Sequence, residues 1–219
     1  QGVIPCHLHV AFIGGRGIIG KYSGVESFYE KAGQALAAHG HNITAYCRTY
    51  FTPDRKEYEG IRIVRLPTIR TKHLETFVHS LLSTAHACLS NYDIVHYHTL
   101  GPSLFSFLPR LFGKKTVVTV QGLDWQRKKW STFARTILKF SEWTSAHFPN
   151  RTIVVSHTLE RYYSQRYRRA VSYIPNGAGL ITRVTGSHLA GFGLEPENYV
   201  LFLGRFSPEK NLDLLIQAF

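Results

Sequence analysis

The sequence predicts an α/β fold: a doubly wound, mostly parallel sheet, followed by the first strand and helix of a second sheet. Short apolar runs alternate along the chain with stretches of helical period, the pattern of repeated βα units. Thr116–Val120 (TVVTV) is apolar or β-branched at every position, as a strand buried on both faces should be. Near the end, Tyr199–Leu203 (YVLFL) reads as a buried strand ahead of a Gly turn and the amphipathic run Leu212–Phe219.

Taken in order, His9–Ile13 is a short apolar strand that runs into Gly14-Gly15-Arg16-Gly17. Val25, Phe28, Tyr29, Ala32 and Leu36 then recur at helical spacing and stop at Gly40, a helix-ending signal. Asn42–Cys47 and Ile61–Leu66 read as strands, and Leu74–Leu89 as a helix with Phe77, Leu81, Leu82 and Ala85 on one face. Asp93–Tyr97 is a strand, followed by a helical stretch around Ser103–Phe112. After Thr116–Val120 come a helical stretch near Thr132–Ala146, a strand Thr152–Val155, a helix Thr158–Tyr167 and a strand Val171–Ile174 ending at Pro175-Asn176-Gly177. Residues 178–198, with several Gly and little periodicity, read as a connector. The expected organisation is a remnant outside the fold over 1–8, a first domain over 9–177, the connector 178–198, and over 199–219 the first piece of a second domain. A βα unit cannot bury its own face alone, so the remainder of that domain is expected to be missing.

Lys and Arg outnumber Asp and Glu 26 to 14, a net charge of +12. That surplus suggests an anionic partner: nucleic acid, a membrane surface or a phosphorylated small molecule. Cys6, Cys47 and Cys88 are far apart without CxxC spacing, which argues against a disulfide framework or zinc site and fits a reducing cytosol. No run of ~18 apolar residues is present to span a membrane, and the N-terminus lacks a signal-peptide pattern. With no methionine in the chain, Gln1 is not expected to be the translation start.

In open α/β sheets ligands sit at the carboxyl ends of the strands, so the residues just after each strand carry the argument. After the first strand, the Gly-rich loop with Gly15 and Gly17, followed by Gly24, lets backbone approach a ligand. It matches neither the dinucleotide fingerprint nor the P-loop, and a plain tight turn is the alternative. Glu26 reads as a cap residue or a ligand contact. His96 and His98 fall on one face of their strand. With no third ligand evident, they are not expected to hold a metal. His98, at the strand's carboxyl end, is placed to hydrogen-bond a sugar or phosphate, and His96 reads as a satisfied core histidine.

Gln121 to Trp130 (QGLDWQRKKW) concentrates an amide, a carboxylate, two indoles and three cations in one loop. Asp124 could orient a hydroxyl, and Arg127, Lys128 and Lys129 could meet an anion; Trp125 and Trp130 read as core anchors of the loop. Arg161, Arg166, Arg168 and Arg169 interleave with Tyr162, Tyr163 and Tyr167. With no nucleic-acid motif beside them, they read as a helix with tyrosines inward and arginines outward. Finally, Gly204-Arg205-Phe206-Ser207-Pro208-Glu209-Lys210 presents two cations at a strand-to-helix turn, a phosphate-binding arrangement.

The order of these pieces resembles family 4 glycosyltransferases of the GT-B type, in which two Rossmann-like domains face each other across the active site. GRFSPEKNLDLLIQAF looks like that family's G-R-x-x-x-E-K-G-x-D-x-L-I-x-A-F opening of the nucleotide-sugar domain, with Asn211 in place of a Gly. RGIIGKYSGVESF and QGLDWQRKKW are similar to R-G-I-P-x-x-Y-G-G-x-E-x-F and D-G-L-E-W-K-R-x-K-W of bacterial rhamnosyltransferase-like proteins. The departures are Ile19 for Pro, Ser23 for Gly, Gln121 for Asp and Asp124 for Glu.

The resemblance implies a Rossmann-like first domain, a truncated Rossmann-like second one, and a retaining transferase that needs no metal or cofactor. Arg205 and Lys210 would bind the donor diphosphate and stabilise the departing nucleoside diphosphate. Gly15, Gly17 and Gly24 would face the same phosphates, and His98, Gln121, Asp124 and Arg127 would line the acceptor side. The implied partners are a nucleotide sugar and a glycan or lipid-linked acceptor of surface polysaccharide or glycoprotein synthesis. The implied location is cytoplasmic, peripheral at an anionic inner leaflet. The other readings are a non-catalytic acceptor-binding fragment and, on charge alone, a nucleic-acid-binding module.

Overall fold

In the computed structural model of the chain, the described residues are 7–19, 24–71, 74–127, 130–177, 189–204, 206 and 210–219. They open with β1 (His9–Ile13), α1 (Gly24–Ala38), β2 (Asn42–Arg48), the two-residue β3 (Glu57–Tyr58) and β4 (Ile61–Leu66). Then come α2 (Leu74–Leu89), β5 (Ile94–His98), the single-turn helices α3 (Leu100–Ser103) and α4 (Leu108–Leu111), and β6 (Lys115–Val120). The sheet is completed through α5 (Thr132–His147), β7 (Arg151–Val154), α6 (His157–Tyr167) and β8 (Ser172–Tyr173).

All eight strands form one sheet in the order β3-β4-β2-β1-β5-β6-β7-β8. Every neighbouring pair is parallel except β3–β4. The chain winds outward from β1 through β2 to β4, then returns to place β5 on the other side of β1. The direction of winding therefore reverses between β1 and β5, the crevice where such sheets bind ligands. Alternation along β1 shows the double cover directly. Val10 and Phe12 pack with Tyr29, Ile43, Ala45 and Ile61 on one face. Ala11 and Ile13 pack with Tyr46, Val95, Tyr97 and Val118 on the other.

Two local expectations are corrected. The stretch around Ser103–Phe112 is not one helix but the two turns α3 and α4. Pro109 has no N–H to bond back into a preceding turn, so a continuous helix is interrupted there. In α2 the apolar stripe faces outward: Phe77, Leu81 and Leu82 are 41%, 39% and 39% exposed, while His79, Ser80, Ser83, Thr84, Ala87 and Cys88 are buried. The buried hydroxyl of Tyr97 explains this, because it pairs with Thr84 Oγ1 at 3.0 Å. Small hydroxylated residues let the helix approach that group; Phe or Leu there would leave it only the longer bond to the Phe105 carbonyl oxygen, at 3.4 Å.

The chain divides into two units, Gln1–Asn176 and Gly177–Phe219. In the second, α7 (Leu212–Ala218) is the α-helix among the described residues. Tyr199–Leu203, expected as a buried strand, carries no strand pairing, and Leu203 is 91% exposed. A strand needs a neighbour to take its backbone hydrogen bonds, and the described residues of this unit include none.

Tyr29 ties α1 to the sheet. Its ring is wholly buried, and its hydroxyl donates to the carbonyl oxygen of Phe12 and lies 3.2 Å from that of Tyr46. Tyr29→Phe is expected to lower unfolding stability by about 1–3 kcal/mol, the cost of buried carbonyls left without a donor. Urea unfolding followed by circular dichroism checks this, and an unchanged midpoint would contradict the assignment.

Candidate active site

The loop after β1 is built around a close approach. Gly14 has φ +122°, and a Cβ there would lie 2.3 Å from the carbonyl oxygen of His98. Only glycine permits the crossing over the end of β5. Two residues at the crevice are β-branched yet left-handed, Ile19 at φ 75° and Thr99 at φ 74°. Such positions cost about 1–3 kcal/mol each and concentrate at functional sites. Their surroundings hold them: the Ile19 N–H donates to Glu30 Oε2 at 3.2 Å, and the Thr99 N–H to Thr119 O at 2.9 Å.

Glu26 resolves as a loop anchor, its Oε1 accepting from the Arg16 N–H at 3.3 Å. Both Glu26 and Glu30 are buried. The carboxylates of α1 thus take backbone donors that a phosphate would otherwise meet. Gly15 is buried beneath the ring of Tyr29 and Gly17 against Thr52, whereas Gly24 opens α1 in an exposed position. Of the three glycines expected to face phosphate, only Gly24 is exposed.

His96 and His98 do share a face, their rings stacked with centroids 4.2 Å apart. His96 is satisfied as expected, but His98 is not placed as a ligand contact. His96 Nε2 lies 2.7 Å from Thr119 Oγ1. His98 is 0% exposed, packed by Phe12, Phe28 and Tyr29, and neither ring nitrogen has a partner among the described residues. As placed, His98 does not reach an open surface, because the glycine loop and α1 cover it. Burial, helped by the neighbouring His96, pushes its pKa well below the usual histidine range, and burial pushes His96 down to about 4.

Beyond β6 the edge is polar and open. Gln121 and Asn176 exchange amide bonds, Nε2 to Oδ1 at 3.4 Å and Nδ2 to Oε1 at 2.9 Å. They bridge the exits of β6 and β8. Asp124 opens a 3₁₀ turn, Asp124–Gln126, and pairs with Arg127 at 3.5 Å. Trp125 is anchored as expected, and its partner is Glu142 of α5, which accepts from the indole Nε1 at 2.5 Å. Glu142 also accepts from the hydroxyls of Tyr162 (2.8 Å) and Tyr167. Lys128 and Lys129 lie outside the described residues. In α6, Tyr163 is buried and Arg161 and Arg166 are exposed, as the interleaved pattern suggested.

On the other side of the crevice stands a group the sequence reading missed. Arg48, at the end of β2 and 3% exposed, pairs with Glu75 at 2.6 Å and donates to Thr76 Oγ1 at 3.1 Å. The Tyr50 hydroxyl reaches the same carboxylate, and Arg70 lies over the Tyr50 ring at 4.4 Å. No local signal marks it, because its partner Glu75 lies 27 residues away. In the second unit Lys210 is exposed, and Arg205 lies outside the described residues.

The family model described as Glycosyltransferase Family 4 matches residues 22–180. The chain belongs to glycosyltransferase family 4. Solved structures share its Rossmann-like GT-B architecture. Sucrose-phosphate synthase from Thermosynechococcus elongatus superposes at TM-score 0.74 with 20% identity, covering 97% of this chain and 59% of that one. Anabaena HepE, in complex with UDP and glucose, gives 0.54 at 15% identity over 78% of this chain and 45% of its own. Arabidopsis thaliana UGT89C1, complexed with UDP-L-rhamnose, gives 0.51 at 12% identity over 85% and 54%. This family 4 chain thus spans 59% or less of each of these proteins. No curated protein sequence matches it.

The buried histidines set a pH dependence. His79, His96 and His98 all have pKa values lowered in the fold, the first two to about 4. Because the unfolded chain binds those protons first, their neutral forms favour the fold fully above about pH 6.5, and stability falls from there toward pH 4. The urea midpoint should be flat near neutrality and drop across that window, with a shallower slope in His96→Asn. An equal slope in the variant would count against the assignment.

Proposed function

We propose that this chain supplies the acceptor-side domain of a retaining, metal-independent glycosyltransferase that takes sugar from a nucleotide donor. The observation that carries the reading is the family 4 match over 22–180, on a sheet whose carboxyl edge gathers Gln121, Asn176, Asp124 and Arg127. That edge offers what an acceptor hydroxyl needs: neutral amides to fix its position and a carboxylate to orient it. Solved neighbours hold UDP with glucose and UDP-L-rhamnose, which supports a nucleotide sugar as donor. In this reading residues 9–177 are the acceptor domain, 178–198 the connector, and 199–219 the opening of the donor domain. The rhamnosyltransferase-like motifs RGIIGKYSGVESF and QGLDWQRKKW favour a bacterial surface glycan, lipid-linked or not, as acceptor.

Arg205 and Lys210 would stabilise the diphosphate as it leaves, a role cations fill when no metal does. No separate cofactor is required. Nucleoside diphosphate release from a panel of nucleotide sugars tests this in the protein that includes the donor domain. Arg205→Ala and Lys210→Ala should each cut turnover by roughly 10²–10³-fold, as loss of one transition-state contact does. Near-normal rates would refute the leaving-group role.

Because the chain spans 59% or less of those solved neighbours, a second reading is that it binds acceptor but does not turn over alone. Release of diphosphate by the 219-residue chain itself would remove that reading.

We further propose peripheral attachment at an anionic cytoplasmic membrane surface. No described helix is long and apolar enough to cross a membrane. The support is the net charge of +12 and the outward Leu74, Phe77, Leu81 and Leu82 of α2. Binding to phosphatidylserine-containing vesicles should weaken steeply between 50 and 200 mM salt, about one Debye-length regime to the next. Salt-independent binding, or none, would overturn this part.

A further inference from the structure

A cleft of about 170 Å³ lies beside the loop after β6, lined by Trp125, Lys139, Glu142, Tyr162, Arg166 and Tyr167. None of these has a role in the chemistry above. We propose that this cleft is a subsite for an acidic sugar unit, one ring bearing a carboxylate or phosphate; the proposal rests on the glycosyltransferase reading. Glu142, at the base of the cleft's hydrogen bonding, is 2% exposed. Its Oε2 accepts from Trp125, and its Oε1 from Tyr162 and Tyr167. Burial first, then the bond to Glu142, pushes the Tyr167 hydroxyl up to about 12, and the same causes raise Tyr162. Both phenols therefore remain donors, and the carboxylate is already met by three of them.

What the cleft still offers is positive. Lys139 Nζ stands 4.9 Å from the Trp125 ring centre and has no carboxylate partner among the described residues. Arg166 approaches Glu142 only through Nε, at 3.7 Å, and bonds the Tyr167 hydroxyl through the same nitrogen. Its terminal nitrogens make no hydrogen bond among the described residues. Two cations against one fully bonded carboxylate leave the cleft net positive, with a guanidinium fork able to grip an oxyanion. The aromatic walls hold the two cations, Lys139 over Trp125 and Arg166 over Tyr162 and Tyr167, and add apolar surface beside them for a sugar ring. The volume is well below the roughly 300–1,000 Å³ of pockets for drug-sized ligands, so one ring fits and a nucleotide or oligosaccharide does not. Trp125 adjoins Asp124 in the same 3₁₀ turn. A ring held here is therefore next to the residues proposed to orient the acceptor.

The test is calorimetric titration of the 219-residue protein with glucuronate, glucose 1-phosphate, glucose and inorganic phosphate, repeated for Lys139→Gln and Arg166→Gln. Both side chains are exposed, and a retained melting temperature verifies that the variants fold. The expected result is that one or both acidic sugars bind at least about tenfold more tightly than glucose or phosphate. Which of the two does so identifies the anion. Each variant should weaken that binding by about tenfold, the scale of one charge-assisted contact. Equal affinity for glucose would remove the charge requirement, equal affinity for phosphate the sugar requirement, and indifference to both variants the site itself. Binding needs no transfer. Loss of this result with turnover intact overturns only the subsite, and loss of turnover with binding intact overturns only the proposed function.

Discussion

The carboxyl edge of this sheet depends on how closely the loop after β1 passes over the end of β5. At Gly14 there is no room for a methyl group: a Cβ would stand 2.3 Å from the His98 carbonyl oxygen. That crossing encloses His98, brings Arg16 to Arg48, whose N–H bonds the Arg16 carbonyl at 2.8 Å, and sets the loop against α1. The two halves of the edge diverge from there. Toward β2 it is the Arg48–Glu75 ion pair with the Tyr50 hydroxyl on the same carboxylate; toward β6 and β8 it is an amide pair and a short 3₁₀ turn.

Buried or half-buried carboxylates organise both halves. Glu26 and Glu30 hold the backbone of the glycine loop, Glu75 gathers Arg48 and Tyr50, and Glu142 gathers Trp125 and two tyrosines. Each takes donors from outside its own helix, so each fixes a loop or strand end relative to a helix. In a chain with a surplus of cations, these few acids act as local organisers of the fold.

Much of the fold was legible because the strands are short apolar runs and the helices carry helical period. The order of the seven parallel strands follows from that alternation, whereas the two-residue antiparallel β3 has no apolar run to mark it. What periodicity could not give was orientation. In α2 the apolar residues Phe77, Leu81 and Leu82 turn outward, because the sheet presents the Tyr97 hydroxyl and calls for Thr84 against it. Tyr199–Leu203 has strand composition, but pairing is a property of neighbours and not of the segment. At the site, Gln121, Asp124, Arg127 and the anchoring of Trp125 could be read from their place after a strand. Glu142 and Arg48 could not: their partners lie 17 to 27 residues away, and only the fold brings them together. His96 is a satisfied core histidine as its place suggested, but the exposure expected of His98 fails for a related reason. Exposure at a strand's end depends on what the preceding loop covers, and here Gly14 lets that loop cover His98.

The central claim is that ligands engage the carboxyl edge of the sheet. Amide-resolved hydrogen exchange, with and without saturating nucleotide sugar and a simple glycan acceptor, tests it most directly. The account predicts slowed exchange confined in this domain to residues 14–19, 99–101 and 121–127. Protection instead around His9, Asn42 and Arg62, which line a groove at the opposite edge, with none at the carboxyl edge, would contradict it.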